Sequence, residues 1–329
     1  MEQFENHGNP NPDNHMPVST ISRGTKFVQN YLGFVVMGVF LLSNLIALTN
    51  IASLSLFNLI LRQFWPLGII SVGTVAATRI KGPDLSMAAM MGLSSAMIAF
   101  AVREDSISAG IIGAIVLCLF FGMLNGALIS FLGVPSIVLT IVTAAMMRFG
   151  ILTLVSPWPM LLEGLTRPGE FQFFLMLIIA VALALAALAI TKRLPMVKDE
   201  KKRGSLPKLM NMFGYALVAV IAGIAGYAML RNFNVMAPSI QDDIVIRIIL
   251  IFAAVQSSKL LKNNIIALGY GLGVTLIIAM SSVVRIWLHM PHFFVDAAEA
   301  GLAIWLICVA CAANGGWRSV LNANLETMQ

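Results

Sequence analysis

Charge is what this sequence has least of. Of 329 residues, 21 are Lys or Arg and 15 are Asp or Glu, 11% in all, against roughly a quarter in an ordinary soluble domain. That deficit excludes a conventional water-exposed surface over a chain of this length. Cysteine is scarce as well, and Cys118, Cys308 and Cys311 all fall inside apolar runs. They read as packing residues and say nothing of redox compartment. The four histidines are poor material for a metal centre: His7 and His15 sit in a polar amino-terminal stretch, while His289 and His292 flank Pro291 with no carboxylate or thiol spaced to complete a set. Neither metal nor cofactor is expected. Also missing are a Walker phosphate loop, a serine nucleophile elbow and a glycine-rich dinucleotide turn. The chain is therefore not expected to be an enzyme or to hydrolyse ATP by itself.

What the sequence does have is apolar residues, 59% of the chain, with a mean hydropathy of +0.89. One soluble core cannot bury that much apolar surface, so the chain reads as a polytopic integral membrane protein. Ten apolar runs recur, at about 30–50, 57–79, 85–102, 108–132, 135–155, 171–191, 211–230, 243–261, 264–284 and 293–314. Each is near the ~20 residues that a helix needs to cross ~30 Å of hydrocarbon. Membrane strands would alternate apolar and polar residues in ~10-residue pieces, whereas these runs are continuous, so the fold class is all-α. Residues 1–28 are expected to form a disordered polar tail, 29–316 the transmembrane domain and 317–329 a carboxy-terminal tail.

Basic residues set the expected topology. The loop 192–210 carries Lys192, Arg193, Lys198, Lys201, Lys202, Arg203 and Lys208 against Asp199 and Glu200, which retains it on the cytoplasmic side. Six runs precede it, so the amino terminus is cytoplasmic too, and four follow it, which brings the carboxy terminus back inside. Arg79, Lys81, Lys259 and Lys262 fall inside on the same count, while Glu104, Asp105, Glu163 and Glu170 fall outside. The net charge of +6 follows from this bias, with the anionic inner leaflet as its neighbour and no nucleic-acid partner required.

Polar residues interrupt the apolar pattern most informatively between 81 and 150. Gly82, Pro83, Asp84 and Ser86 break one run and start the next, with Asp84 as a helix N-cap that Ser86 assists. Asn125, Gly126 and Leu128 follow within a span, then Val134, Pro135, Ile137 and Thr140, then Arg148 and Gly150. Asp-Leu-Ser, a long apolar span ending Asn-Gly-x-Leu, then Val-Pro-x-Ile-x-x-Thr and Arg-x-Gly, in that order over about 66–150, resembles the permease subunits of bacterial ATP-binding-cassette importers for ribose, galactose, xylose and autoinducer-2. Branched-chain amino-acid permeases are more distantly similar. The resemblance implies a bacterial plasma (inner) membrane location, alternating access, an external solute-binding protein, a cytoplasmic ATPase dimer and a second permease subunit. It also implies a small polar solute, most readily a monosaccharide. Two readings outside it stay open, an ATPase-independent secondary transporter or facilitator and a structural partner of an orthodox permease.

The second half departs from the family. Its usual coupling pattern, Gly-Arg, aromatic-Ala-x-Gly and Asn, is absent, and the lysine-rich 192–210 segment stands in that place. A divergent coupling segment fits a subunit that pairs with a different permease, though self-pairing is equally open. Leu206, Leu209 and Met210 are then the apolar anchors expected to meet the ATPase. Asp84, Ser86, Asn125, Thr140 and Thr143 are the candidates for the substrate pathway, each with a plainer reading as a cap, a helix-to-helix hydrogen bond or a back-bonded hydroxyl. Arg148, Arg247, Asp243, Asp296 and Glu299 fall in the outer third of their spans, where charge is expected to reach the outer surface or to pair. Arg148, Arg247, Asp296 and Glu299 are the candidates for docking the binding protein. Small residues at Gly110 and Ala114, and at Gly122 and Gly126, are spaced for close helix packing.

Overall fold

The computed structural model of the chain describes residues 23–49, 54–80, 82, 84–155, 159–162, 165–192, 205–237, 240–257, 263–289 and 292–313. Most of the 1–28 tail, 193–204 of the basic loop and all of 317–329 lie outside them. Ten α-helices follow one another: α1 Arg23–Thr49, α2 Leu54–Ile80, α3 Ser86–Arg103, α4 Ile107–Phe131, α5 Ser136–Leu154, α6 Glu170–Lys192, α7 Ser205–Phe233, α8 Ile240–Ser257, α9 Asn264–Trp287 and α10 His292–Ala313. Each coincides with one apolar run.

Two helices start earlier than expected: α1 at Arg23 rather than near 30, so that residues 23–28 of the expected tail are helical, and α7 at Ser205 rather than near 211. Leu206, Leu209 and Met210 therefore lie on the first turns of a helix and not in a loop. Pro207 is no obstacle there, because the first amides of a helix have no intrahelical acceptor to lose.

Among the described residues seven helices, α2 to α7 and α9, are long and apolar enough to cross a membrane, while α1, α8 and α10 carry shorter apolar stretches at Phe34–Ile46, Ile244–Ser257 and Ala297–Cys308. The chain is an all-α membrane protein.

Packing centres on α7, which touches α2, α3, α4 and α6. Small residues make that possible. A Cβ at Gly122 of α4 would lie 2.9 Å from the Ala216 Cα, and one at Gly126 would lie 2.7 Å from the Met212 Cα, so the glycine pair lets two backbones meet without intervening side chains. Beside them α3 is buried along most of its length. By contrast α4 and α5 turn Ile112, Phe120, Val138 and Phe149 outward, as helices facing hydrocarbon do.

A short ribbon marks one end of the bundle, where β1 Met160–Leu161 pairs antiparallel with β2 Val235–Met236. Pro66 inside α2 has no N–H to offer the carbonyl of residue 62. Asn232 at the end of α7 takes that place, its Nδ2 donating to the Arg62 carbonyl at 2.6 Å. Asn232 Oδ1 accepts from Arg167 Nε at 3.0 Å. Arg167 Nη2 in turn meets Glu170 Oε1 at 2.7 Å, and Trp65 Nε1 donates to Glu170 Oε2 at 2.5 Å. These bonds fasten α2, α6 and α7 together at the ribbon end. Counting along α2 from Arg62 to Ile80, the turn between α2 and α3 lies about 27 Å away, at the opposite end.

Candidate functional site

At that opposite end the 82–85 turn is wedged between helices. Gly82 has φ +143°, a conformation that side chains disfavour, and a Cβ there would lie 2.4 Å from Ser136 Oγ at the start of α5. Glycine thus lets the turn lie flat against α5. The first amides of α3 then need partners from outside the helix. Ser86 N–H donates to Asp84 Oδ1 at 2.9 Å, and Leu85 N–H donates to Thr140 Oγ1 at 3.2 Å. The caps come from the turn and from α5.

From this start a chain of side-chain hydrogen bonds crosses three helices. Thr143 Oγ1 on α5 donates to Asn125 Oδ1 on α4 at 2.8 Å. Asn125 Nδ2 donates to Ser86 Oγ at 3.0 Å, and Ser86 Oγ–H donates to Asp84 Oδ1. Thr143 Oγ1 has the Leu139 carbonyl as a second acceptor at 3.0 Å, while from Asn125 onward the donors run toward the carboxylate and polarise one another in one direction. Asp84, Ser86, Asn125, Thr140 and Thr143 are all buried. The five residues picked from sequence as isolated candidates are therefore one structural unit.

Asp84 lies outside both flanking helices, and burial pushes its carboxyl up from 3.8 to about 6, outweighing the two hydrogen bonds from Ser86 that act the other way. Its second oxygen, Oδ2, is buried with no hydrogen-bond partner, and so is the hydroxyl of Tyr215 on α7. Tyr215 packs beside the network, its Cβ 3.0 Å from where a Cβ at Gly126 would stand, next to Asn125. Tyr215 is not among the site candidates the sequence offers, because a tyrosine within an apolar span reads as packing. Its place opposite the Gly122 and Gly126 pair is visible only once α4 and α7 are docked.

The charged candidates divide. Arg247 on α8 and Glu299 on α10 are 7% and 1% exposed, and Arg247 Nε lies 3.6 Å from Glu299 Oε2. Arg247 Nη2 also donates to Ser282 Oγ of α9 at 3.2 Å. The docking expectation for these two is corrected: buried inside the bundle and turned toward each other, they offer no surface, because three helices close over them. Arg148 is exposed on α5. The side chains of Asp243 and Asp296 lie outside those described. Of the proposed ATPase anchors, Leu206 and Leu209 are 59% and 39% exposed and Met210 is half-buried. A Lys208 Nζ sits 5.8 Å over the Phe131 ring beside them.

Chemically the network is a hydrogen-bonding unit with one titratable group, suited to holding helices in register and to carrying a single proton. Compared with protein-family models, with curated proteins and with solved structures, the chain matches none of them.

Proposed function

We propose that this chain is the membrane permease subunit of a bacterial inner-membrane ATP-binding-cassette importer for a small polar solute, most readily a monosaccharide. The observation that carries the reading is the convergence of its motif residues. Asp84, Ser86, Asn125, Thr140 and Thr143 are spread over sixty residues of sequence, yet they meet in one buried network, as a functional signature would require and five unrelated capping residues would not. All ten helices cross the bilayer in this reading, with the ribbon end outside and the Asp84 turn, Lys208 and both termini inside. That polarity puts Glu104, Asp105 and Glu170 outside and the basic 192–210 segment within.

A separate ATPase dimer then supplies the energy, meeting the inner end of α7 at Leu206 and Leu209, and a second permease, identical or different, completes the membrane unit. An external binding protein delivers the solute. The protein chemistry of this subunit is alternating access alone.

A second reading has its own support. Buried ionisable groups inside membrane bundles commonly serve proton- or ion-coupled transport, and Asp84 and the Arg247–Glu299 pair are such groups. The experiment that separates the two is uptake of labelled pentoses and hexoses into proteoliposomes. The chain purified under native conditions should bring an ATPase with it and accumulate sugar only with ATP inside the motor's compartment. Uptake by the isolated chain, driven by a proton or sodium gradient, sinks the importer reading and establishes the secondary transporter.

A further inference from the structure

Two orphaned polar atoms, Asp84 Oδ2 and the Tyr215 hydroxyl, are buried at the same end of the bundle. Asp84 is 1% exposed and Tyr215 is not exposed at all. Leaving a donor and an acceptor unpaired in the interior is costly, and native structures seldom tolerate it without a reason. Here each is what the other lacks. The phenol can donate, and the carboxylate oxygen can accept.

They sit on elements fastened very differently. The outer half of α7 is tied down: Ser94 Oγ donates to the Gly223 carbonyl at 3.0 Å, Ser95 Oγ to the Gly226 carbonyl at 2.9 Å, Arg231 Nη2 to the Thr166 carbonyl at 2.8 Å and Asn232 Nδ2 to the Arg62 carbonyl. All four bonds lie between Gly223 and Asn232. The inner half rests on Gly122 and Gly126 of α4 and faces them with Ala216, Ala219, the Tyr215 Cβ and backbone. Apart from Tyr215 itself, the atoms nearest the two glycines belong to alanine or to backbone, the kind of contact along which a helix shifts. Asp84, for its part, is bound through Ser86 and Asn125 to α3, α4 and α5.

We propose that the inner half of α7 pivots about its fastened outer half, and that the second position closes a hydrogen bond from the Tyr215 hydroxyl to Asp84 Oδ2. The orphaned pair is then the open state of a two-position switch, in which neither state has an advantage large enough to lock it. Closing it joins α7 to the chain of bonds through Ser86, Asn125 and Thr143. Movement at Leu206 and Leu209, at the free end of the lever, is thereby passed to three other helices. Only this last link, to a motor docked at those leucines, rests on the function proposed above. The switch itself is a property of the chain alone.

The test uses spin labels at L206C on α7 and L132C beyond α4, both exposed positions, in full-length protein with Cys308 and Cys311 replaced by Ala and reconstituted in lipid nanodiscs without any partner. The labelled parent should show two distances. Tyr215→Phe and Asp84→Asn should each reduce the second population at least threefold, and combining them should reduce it no further. Folding is monitored by thermal unfolding, in which Tyr215→Phe is expected to match or exceed the parent because it removes a buried orphan hydroxyl. A single distance in the parent, or both populations unchanged in Tyr215→Phe, overturns the proposal. An ATPase-stimulation assay of the native complex is a separate arm. Failure there removes the importer reading and leaves the two distances standing.

Discussion

Arg247 on α8 faces Glu299 on α10 at 3.6 Å inside the helix bundle, with Ser282 of α9 as a third partner. Buried charges are tolerated in pairs and penalised singly. Replacing Glu299 by Ala should cost about 3–5 kcal/mol, because it removes the carboxylate that the buried Arg247 faces. The double replacement Arg247→Met with Glu299→Leu should recover most of that loss, since it restores a neutral interior of similar volume. Thermal unfolding in detergent, read as a double-mutant cycle, checks this. Additive losses would mean that the two residues are independent.

Asn125 sits at the middle of the polar chain, giving to Ser86 and receiving from Thr143. Asn125→Ala removes both bonds, leaving Ser86 Oγ with Asp84 Oδ1 and Thr143 Oγ1 with the Leu139 carbonyl. The expected loss is about 1–3 kcal/mol. Ser108→Ala, on the exposed side of the same helix, should change stability by less than ~0.5 kcal/mol. Equal effects would show that the network contributes nothing beyond ordinary packing.

Much of this architecture is legible in the sequence, for a physical reason. Hydrocarbon demands continuous apolar helices of a set length, so the helices stand out as apolar runs, seven of them among the described residues long and apolar enough to cross a membrane. Polar residues inside such runs are also conspicuous, which is how Asn125 and Thr143 are found. Their meeting is not legible, because it depends on how α3, α4 and α5 dock. The same limit hides Tyr215, which acquires meaning only opposite Asp84. Arg247 and Glu299 show the reverse: their places near span ends suggest a surface, and only the packing of α8, α9 and α10 decides that they are interior. Pro66 announces a freed carbonyl in α2, but nothing nearby in sequence names Asn232 as the group that takes it up.

Acidity should act through Asp84. Its folded-state value is raised, from 3.8 to about 6, because burial penalises the carboxylate. A raised value means that the fold binds the proton more tightly than the unfolded chain does. The stabilisation is therefore full below about pH 4 and is lost as pH rises through about 6. Wild type should lose about 1–3 kcal/mol relative to Asp84→Asn between pH 4 and pH 7, on the scale of ~1.4 kcal/mol per pK unit. Unfolding temperatures of both proteins across that range decide it. Parallel curves would show that Asp84 is neutral, or charged, in folded and unfolded states alike.

Two glycines in similar apolar helices should respond oppositely to the same substitution. A Cβ at Gly226 on α7 would lie 2.5 Å from the Met91 carbonyl oxygen of α3, a backbone atom, whereas nothing stands within 4 Å of one at Gly273 on α9. Backbone cannot swing aside as a flexible side chain does. Gly226→Ala must push α3 and α7 apart, and in doing so lengthens the Ser95 bond to the Gly226 carbonyl, 2.9 Å in the native packing. Overpacking of this kind costs about 1–3 kcal/mol. Gly273→Ala meets open space and gains up to ~1 kcal/mol from the better helix propensity of Ala in an aqueous reference, a gain that lipid reduces but does not reverse. Detergent unfolding midpoints of the two variants should thus fall on opposite sides of, or one well below and one level with, the parent. If Gly226→Ala is as stable as Gly273→Ala, the close approach of α3 and α7 is not what holds the centre of the bundle together.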